Sequence, residues 1–205
     1  KLAAQHSQSP YSMFMNLAGL KIILPSTPYD MKGLLKAAIR DDNPVMSFES
    51  NRLMGLEGDV PDEDYIVPIG KADIKREGSD ITVVGIAWMV QEALAAAETL
   101  DKEGVSVEVL DPRTLAPMDG ETVRASIRKT GRLLVADEAG PTAGASAEIV
   151  SLATEDPETF KAMKAPARRV CALDAPIPYS PVLEDHVFPN RERIAEGIRA
   201  VLSAG

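Results

Sequence analysis

The sequence predicts an α/β fold in which a mostly parallel sheet carries helices on both faces. Three observations predict it. Short β-branched runs alternate with stretches whose apolar residues recur at helical spacing. The runs "DITVVGIA", "VSVEVLD", "RLLVADE" and "RRVCAL" are too apolar to be half exposed, which marks strands covered on two faces. Strand, helix and strand follow one another repeatedly, an order that requires right-handed crossover connections.

Each element has its own signal. "LKIILP" at 20–25 reads as a strand, with Thr27 as the N-cap of the next helix, Pro28 at its first position and Asp30 in its first turn. Met31, Leu34, Leu35, Ala38 and Ile39 then form one apolar helical stripe. "PVMSFE" at 44–49 reads as the next buried strand. The Gly, Asp, Glu and Pro-rich stretch at 55–64 and the polar stretch at 70–79 read as linker by composition. From residue 80 the pattern restarts. A strand at 80–87 is followed by a helix striped by Val90, Ala93, Leu94 and Ala97, ending near Gly104. Strand 105–111, helix 119–130, strand 132–138, a helix from about Ala145 and strand 168–173 come next, and Ile194, Ile198, Val201 and Leu202 stripe a terminal helix. One strand, one helix and one strand do not make a stable sheet alone. Residues 1–69 are therefore expected to be the back half of a domain whose front half lies upstream of Lys1, and 80–205 a second domain. The opening "AAQHSQSPYS" is then an internal loop.

Composition narrows the function classes. With 205 residues, 45% of them hydrophobic, the chain has ample material for a core. A formal net charge of −9 repels phosphate backbones and anionic lipid, so neither nucleic acid nor a membrane is expected as partner. The single cysteine, Cys171, lies between Val170 and Ala172 and reads as a buried strand residue in a reducing compartment. No apolar run approaches the length of a membrane span.

No G-x-G-x-x-G, G-x-x-x-x-G-K-[ST], G-x-S-x-G or H-E-x-x-H motif is present, which disfavours a self-contained nucleotide binder, serine hydrolase or zinc peptidase. In open α/β sheets ligands meet the carboxyl ends of strands. That rule points to Glu49, to Asp111 with Arg113, and to Asp137 with Glu138, although carboxylates in loops after strands more commonly start the next helix or pair across a subunit contact. His6 sits among Gln5, Ser7, Gln8 and Ser9, polar neighbours able to orient an imidazole. A histidine so placed can pass a proton near neutral pH, or can simply face solvent. His186, in "LEDHVFP", reads as structural.

The segments "QHSQS", "AGLKIILPSTPYDMKGLLKAAIRDDNPVMSFE", "LDPRTLAPMDGETVRASIRKTGRLLVADEAG" and "PIPYSPVLED" occur in one order across nearly the whole chain. Together they resemble the beta subunit of the thiamine-diphosphate-dependent 2-oxoacid dehydrogenase E1 component, a group that includes pyruvate, branched-chain 2-oxoacid and acetoin enzymes. The chain departs from many relatives at Asn16, Leu17 and Ala18, where those have histidine, a variable residue and proline. The resemblance implies the C-terminal part of a pyrimidine-binding domain at 1–69, a linker at 70–79 and a transketolase C-terminal domain at 80–205.

It also implies a chemistry. His6 would be the catalytic residue of the "HSQ" loop, giving a proton to a dithiolane sulfur as a lipoyl group is reductively acylated after a 2-oxoacid, pyruvate foremost, is decarboxylated or acetoin is cleaved. Backbone carbonyls of Ala38, Ile39, Asp41 and Asn43 would hold a potassium ion, as the last carbonyls of a helix lack intrahelical partners; water would serve them as well. The glutamate that activates the aminopyrimidine would lie upstream of Lys1. Thiamine diphosphate and its magnesium would be held at the diphosphate end by an alpha subunit, in a heterotetramer of two alpha and two beta subunits that serves a lipoyl-bearing E2 acyltransferase. The implied compartment is the bacterial cytoplasm, or the mitochondrial matrix. Two other readings are a single-chain enzyme like deoxyxylulose-phosphate synthase, which shares an R-x-x-x-P-x-D pattern like Arg113 to Asp119 but lacks a QHSQ loop, and a non-catalytic α/β interaction module.

Overall fold

The computed structural model describes residues 4–205. Among the described residues eight strands fall into two sheets. The smaller contains β1 (Lys21–Ile23), β2 (Val45–Ser47) and β6 (Thr114–Ala116) in the order β2-β1-β6. β1 and β2 are parallel, joined by helix α1 (Pro28–Ile39), and β6 adds antiparallel to β1. The larger sheet has the order β3-β5-β4-β7-β8, with β3 (Asp73–Arg76), β4 (Ile81–Gly85), β5 (Val107–Asp111), β7 (Leu133–Asp137) and β8 (Arg168–Cys171). Four of its strands are parallel, and β3 runs antiparallel along β5. Residues 73–76, inside the stretch that reads as linker, therefore form an edge strand.

Alternation along the central strands explains the two-sided core. Ile81 and Val83 of β4 face α2 (Met89–Asp101) and α7 (Arg191–Leu202), where they meet Met89, Val90, Ala93, Ile194 and Ile198. Val84 turns to the opposite face, against Val123 and Ile127 of α3 (Gly120–Thr130) and Ile149 of α4 (Ala145–Glu155). Thr82, also on the α3 side, is buried among the hydroxyls of Ser126 and Thr130 at 2.7 and 2.8 Å, so its polar atom is satisfied in the core.

Local chemistry sets the helix ends. Thr27 accepts the Asp30 amide at 3.1 Å and opens α1 with Pro28 at its first position. Asp119 likewise accepts the Thr122 amide and opens α3, which closes on Gly131 at φ 76°, a left-handed cap that suits glycine. Pro157 has no amide proton to continue α4, so the chain breaks at Asp156, which caps the short α5 (Pro157–Ala162) by accepting from Thr159. The last short helix, α6 (Pro181–Val187), precedes α7.

The two sheets are joined by a charge cluster as well as by β6. Asp30 at the start of α1 is fully buried, 2.5 Å from Lys75 Nζ of β3 and 2.7 Å from Arg113 Nη2 after β5. Asp73 contacts the same two cations at 2.7 and 2.8 Å. Asp111 lies 3.8 Å from Lys75 and accepts the Ser26 hydroxyl at 2.5 Å. Among the described residues, no helix is long and apolar enough to cross a membrane.

Candidate functional site

The opening loop is held by contacts far along the chain. After a 3-10 turn over Ala4–His6, a second covers Pro10–Met13. Tyr11 in that second turn is 3% exposed, packs edge-on against Phe48 at 5.9 Å, and donates its hydroxyl proton to Asp137 at the carboxyl end of β7. The Ser12 hydroxyl accepts the Ala145 amide at 3.0 Å, at the start of α4. Burial pushes the Tyr11 phenol well above its ordinary value, and the neighbouring Asp137 adds to the rise. Tyr11→Phe is expected to cost about 1–3 kcal/mol in denaturant unfolding, because Asp137 loses one of its buried donors. A change below about 0.5 kcal/mol would show that water takes the donor's place.

Beneath this loop lies a cavity of about 110 Å³. His6, exposed to solvent, lines it together with Leu24, Phe48, Glu49, Arg52, Glu138 and Glu184. Ser7, Gln8, Ser9, Pro10 and Glu138 also line a second cavity, of about 440 Å³, that extends to Gly140–Gly144 and to Leu173–Ile177. The side chain of Gln5 lies outside the described residues, so its part in orienting His6 is not described.

Arg52 is the cation of the smaller cavity. Its Nε is 3.8 Å from Glu138 and its Nη2 is 3.9 Å from Glu184, while its guanidinium lies 5.1 Å from the Phe188 ring centre. Both glutamates are buried, Glu184 to 2% and Glu138 to 9% exposure. Burial pushes the Glu138 carboxyl up to about 7; Arg52 and a Ser50 hydrogen bond oppose the rise, and the charge of Asp137 adds to it. Ala87, which follows β4 with a left-handed φ of 53°, also lines the cavity.

The strand-end residues divide. Glu49 and Glu138 reach the cavity with His6, and Asp137 holds the loop through Tyr11. Asp111 and Arg113 instead belong to the charge cluster between the sheets. His186 is exposed in the last turn of α6. Cys171 is buried on β8 beside the Ser146 hydroxyl at 3.3 Å, and burial raises its thiol. At the end of α1 the Ala38 carbonyl accepts the Asp41 amide at 3.3 Å, and the Asp41 carboxylate takes Lys21 Nζ at 2.5 Å and the Asn43 amide at 2.9 Å. Among the described residues no cluster of three or more His, Cys, Asp or Glu could hold a metal ion. Arg52, Glu184 and Tyr11 escape sequence reading: Arg52 sits in a 3-10 turn over Asn51–Leu53, Glu184 in the seven-residue α6, and the partner of Tyr11 is 126 residues away.

Comparison with known proteins adds family context. Residues 70–194 match the family described as transketolase, C-terminal domain, and residues 1–55 match transketolase, pyrimidine binding domain. The chain is 45% identical over 194 residues to the acetoin:2,6-dichlorophenolindophenol oxidoreductase subunit beta of Bacillus subtilis, covering 95% of this chain and 56% of that protein. It is 43% identical to the 2-oxoisovalerate dehydrogenase subunit beta of Bacillus subtilis, with 96% and 60% covered, and 42% identical to the mitochondrial pyruvate dehydrogenase E1 component subunit beta of Homo sapiens, with 98% and 57% covered. The chain thus spans little more than half the length of these relatives. A solved structure described as a split gene transketolase, inactive beta4 tetramer, superposes with a TM-score of 0.78 at 21% identity, over 94% of this chain and 60% of that one, and so shares the fold.

Proposed function

The chain belongs to the transketolase C-terminal domain family, with pyrimidine-binding-domain sequence ahead of that domain, and from this premise we propose that it is the larger part of an E1 beta subunit that works with thiamine diphosphate. The boundaries of that reading are pyrimidine-binding sequence at 1–69, a joining stretch at 70–79 and the C-terminal domain at 80–205. The supporting observation is the cavity in which His6, Glu49 and Glu138 meet at the carboxyl ends of β2 and β7, where α/β sheets take their ligands.

That cavity fits the reacting end of a cofactor gripped mostly by other segments. Its apolar walls come from Leu24, Phe48 and Phe188, and polar side chains, among them His6, Glu49, Arg52 and Glu138, line the rest. When bound, thiamine diphosphate supplies the carbon nucleophile that attacks a 2-oxo group or acetoin. This chain's part is to shield that centre with the apolar walls and to present the exposed imidazole of His6 to an incoming lipoyl group. There His6 gives its proton to the sulfur released as the dithiolane ring opens, a general-acid step. The diphosphate and magnesium end belongs to an alpha subunit in a heterotetramer of two alpha and two beta chains, and the acyl group passes to a lipoyl-bearing E2. Pyruvate, a branched-chain 2-oxoacid and acetoin are the candidate substrates. A potassium ion at the end of α1 would meet the carbonyls of Ala38, Ile39, Asp41 and Asn43. The bacterial cytoplasm or mitochondrial matrix is the proposed compartment.

The test is reconstitution. The full-length chain assembled with its alpha subunit should reduce an artificial dye with one of these substrates, and only when thiamine diphosphate and magnesium are present. Turnover by the assembly without thiamine diphosphate, or none with any of the three substrates, would refute the reading.

A further inference from the structure

We propose that Glu138 is a positioning residue of the His6 cavity that stores a proton and returns it to the histidine through water, an inference that rests on His6 being the proton donor of the proposed function. The geometry carries it. One guanidinium, Arg52, stands between two buried carboxyl groups, 3.8 Å from Glu138 and 3.9 Å from Glu184. A single cation balances a single carboxylate, so a second proton-free carboxyl buried beside it is costly. The pair therefore holds one proton more readily than none. Glu184 Oε2 and Arg52 Nη2 are buried without a hydrogen-bond partner in the structure, so no other donor or acceptor at those atoms relieves the balance between one guanidinium and two carboxyl groups. A volume of about 110 Å³ with polar groups on several sides has room for bridging water.

The charged and titratable groups facing Glu138 come from every neighbouring element: His6 and Tyr11 from the loop, Glu49 and Arg52 from the segment after β2, Asp137 from its own strand end and Glu184 from α6. Among them the Glu138 carboxyl has burial and the Asp137 charge on one side and Arg52 on the other, and comes to about 7. That matches the range where an acid serves at neutral pH. The balance is simple. His6 in its cationic form gives one proton to the sulfur and becomes neutral. Glu138 then gives its carboxyl proton through water to the imidazole, becomes a carboxylate facing Arg52, and regains a proton from solvent. No electrons move in this relay.

The experiment uses the full-length chain assembled with its alpha subunit, as parent, Glu138→Gln and Glu138→Asp. Infrared difference spectra over a pH titration should show a protonated-carboxyl band that disappears in the parent with a midpoint of about 7. Glu138→Gln should lack that band. Lipoyl acylation by the parent should fall as pH rises past that midpoint, because the storing group is then empty. In Glu138→Gln the acylation rate should drop by about 100-fold below that midpoint, the lower end of what a positioned proton donor supplies, and the gap between parent and variant should close as pH rises past it. Glu138→Asp should recover part of the rate lost in Glu138→Gln below the midpoint. A band that survives in Glu138→Gln, or an acylation profile unchanged by that substitution, overturns the inference and leaves the proposed function standing. A parent that reduces dye but never acylates a lipoyl domain sinks the His6 reading and this inference with it, while the infrared band still reports where the proton sits.

Discussion

His6→Ala, in the full-length chain assembled with its alpha subunit, is expected to slow lipoyl acylation by about 10²- to 10⁴-fold, the range ordinarily supplied by one general acid. Dye-coupled turnover of the same substrate should fall much less, since a dye takes electrons without needing a proton delivered to sulfur. The split follows from the placement of the residue. His6 is exposed at a cavity whose other charged or acidic side chains are Glu49, Arg52, Glu138 and Glu184. An arginine stays charged at any working pH and is a poor acid, so none of the cavity's cations substitutes for the imidazole. The loop that carries His6 is anchored in the next 3-10 turn, by Tyr11 on Asp137 and Ser12 on the Ala145 amide. Alanine at position 6 touches neither anchor, so the loop keeps its place and the loss reads as chemistry. Equal retention of both activities would end the assignment. An equal collapse of both would mean that His6 acts before the substrate is cleaved.

How much of this was legible in the sequence depended on how strongly burial marks a residue type. The central strands of the larger sheet were readable because β4, β5 and β7 are buried on both faces and so are mostly apolar, with Thr82 and Glu108 the polar interruptions inside them. β3 gave no such signal. Its four residues, Asp73–Arg76, alternate acid, isoleucine and base on a sheet edge, and each of its charges has a partner elsewhere in the chain: Asp73 with Arg113, Lys75 with Asp30, Arg76 with Asp101. Composition alone makes that pattern a linker; only the tertiary partners make it a strand. The site was half legible in the same sense. The strand-end rule reached Glu49 and Glu138, but it reached Asp111 and Arg113 equally, and nothing local separates a carboxylate that lines a cavity from one that joins an ion cluster. Arg52 and Glu184 take their meaning from each other across 132 residues, beyond any local pattern.

Asp30→Ala is expected to destabilise the assembled protein by about 3–5 kcal/mol in thermal or denaturant unfolding, because it removes one side of a fully buried ion cluster and leaves the other side in place. Asp30 is 0% exposed, and its partners Lys75 and Arg113 keep only 12% and 13% of their side chains in solvent. Asp73 remains beside both cations, which places the loss toward the lower end, but Asp73 is 36% exposed and cannot replace a buried charge in full. The Thr27 hydroxyl loses its acceptor as well, at the turn that starts α1. An exposed pair gives the contrast: Arg199 and Glu103 lie 2.5 Å apart but remain 46% and 42% exposed, so Glu103→Ala should cost far less than Asp30→Ala and should respond to salt. The Asp30 effect should barely respond to salt. The pH dependence has a definite sign. Burial, with Asp30 as an added repulsion, raises the Asp111 carboxyl from 3.8 to about 6 in the folded protein. The folded state therefore holds that proton more tightly than the unfolded chain, and stability present below 3.8 is lost as pH rises toward 6. Without Asp30 one cause of the rise is gone, Asp111 ionises at lower pH, and the Asp111 contribution to that decline becomes smaller and ends at lower pH. A variant that unfolds with the parent's pH profile and a loss under about 1 kcal/mol would show that the cluster is solvated and that β6 and the shared apolar core alone join the two sheets.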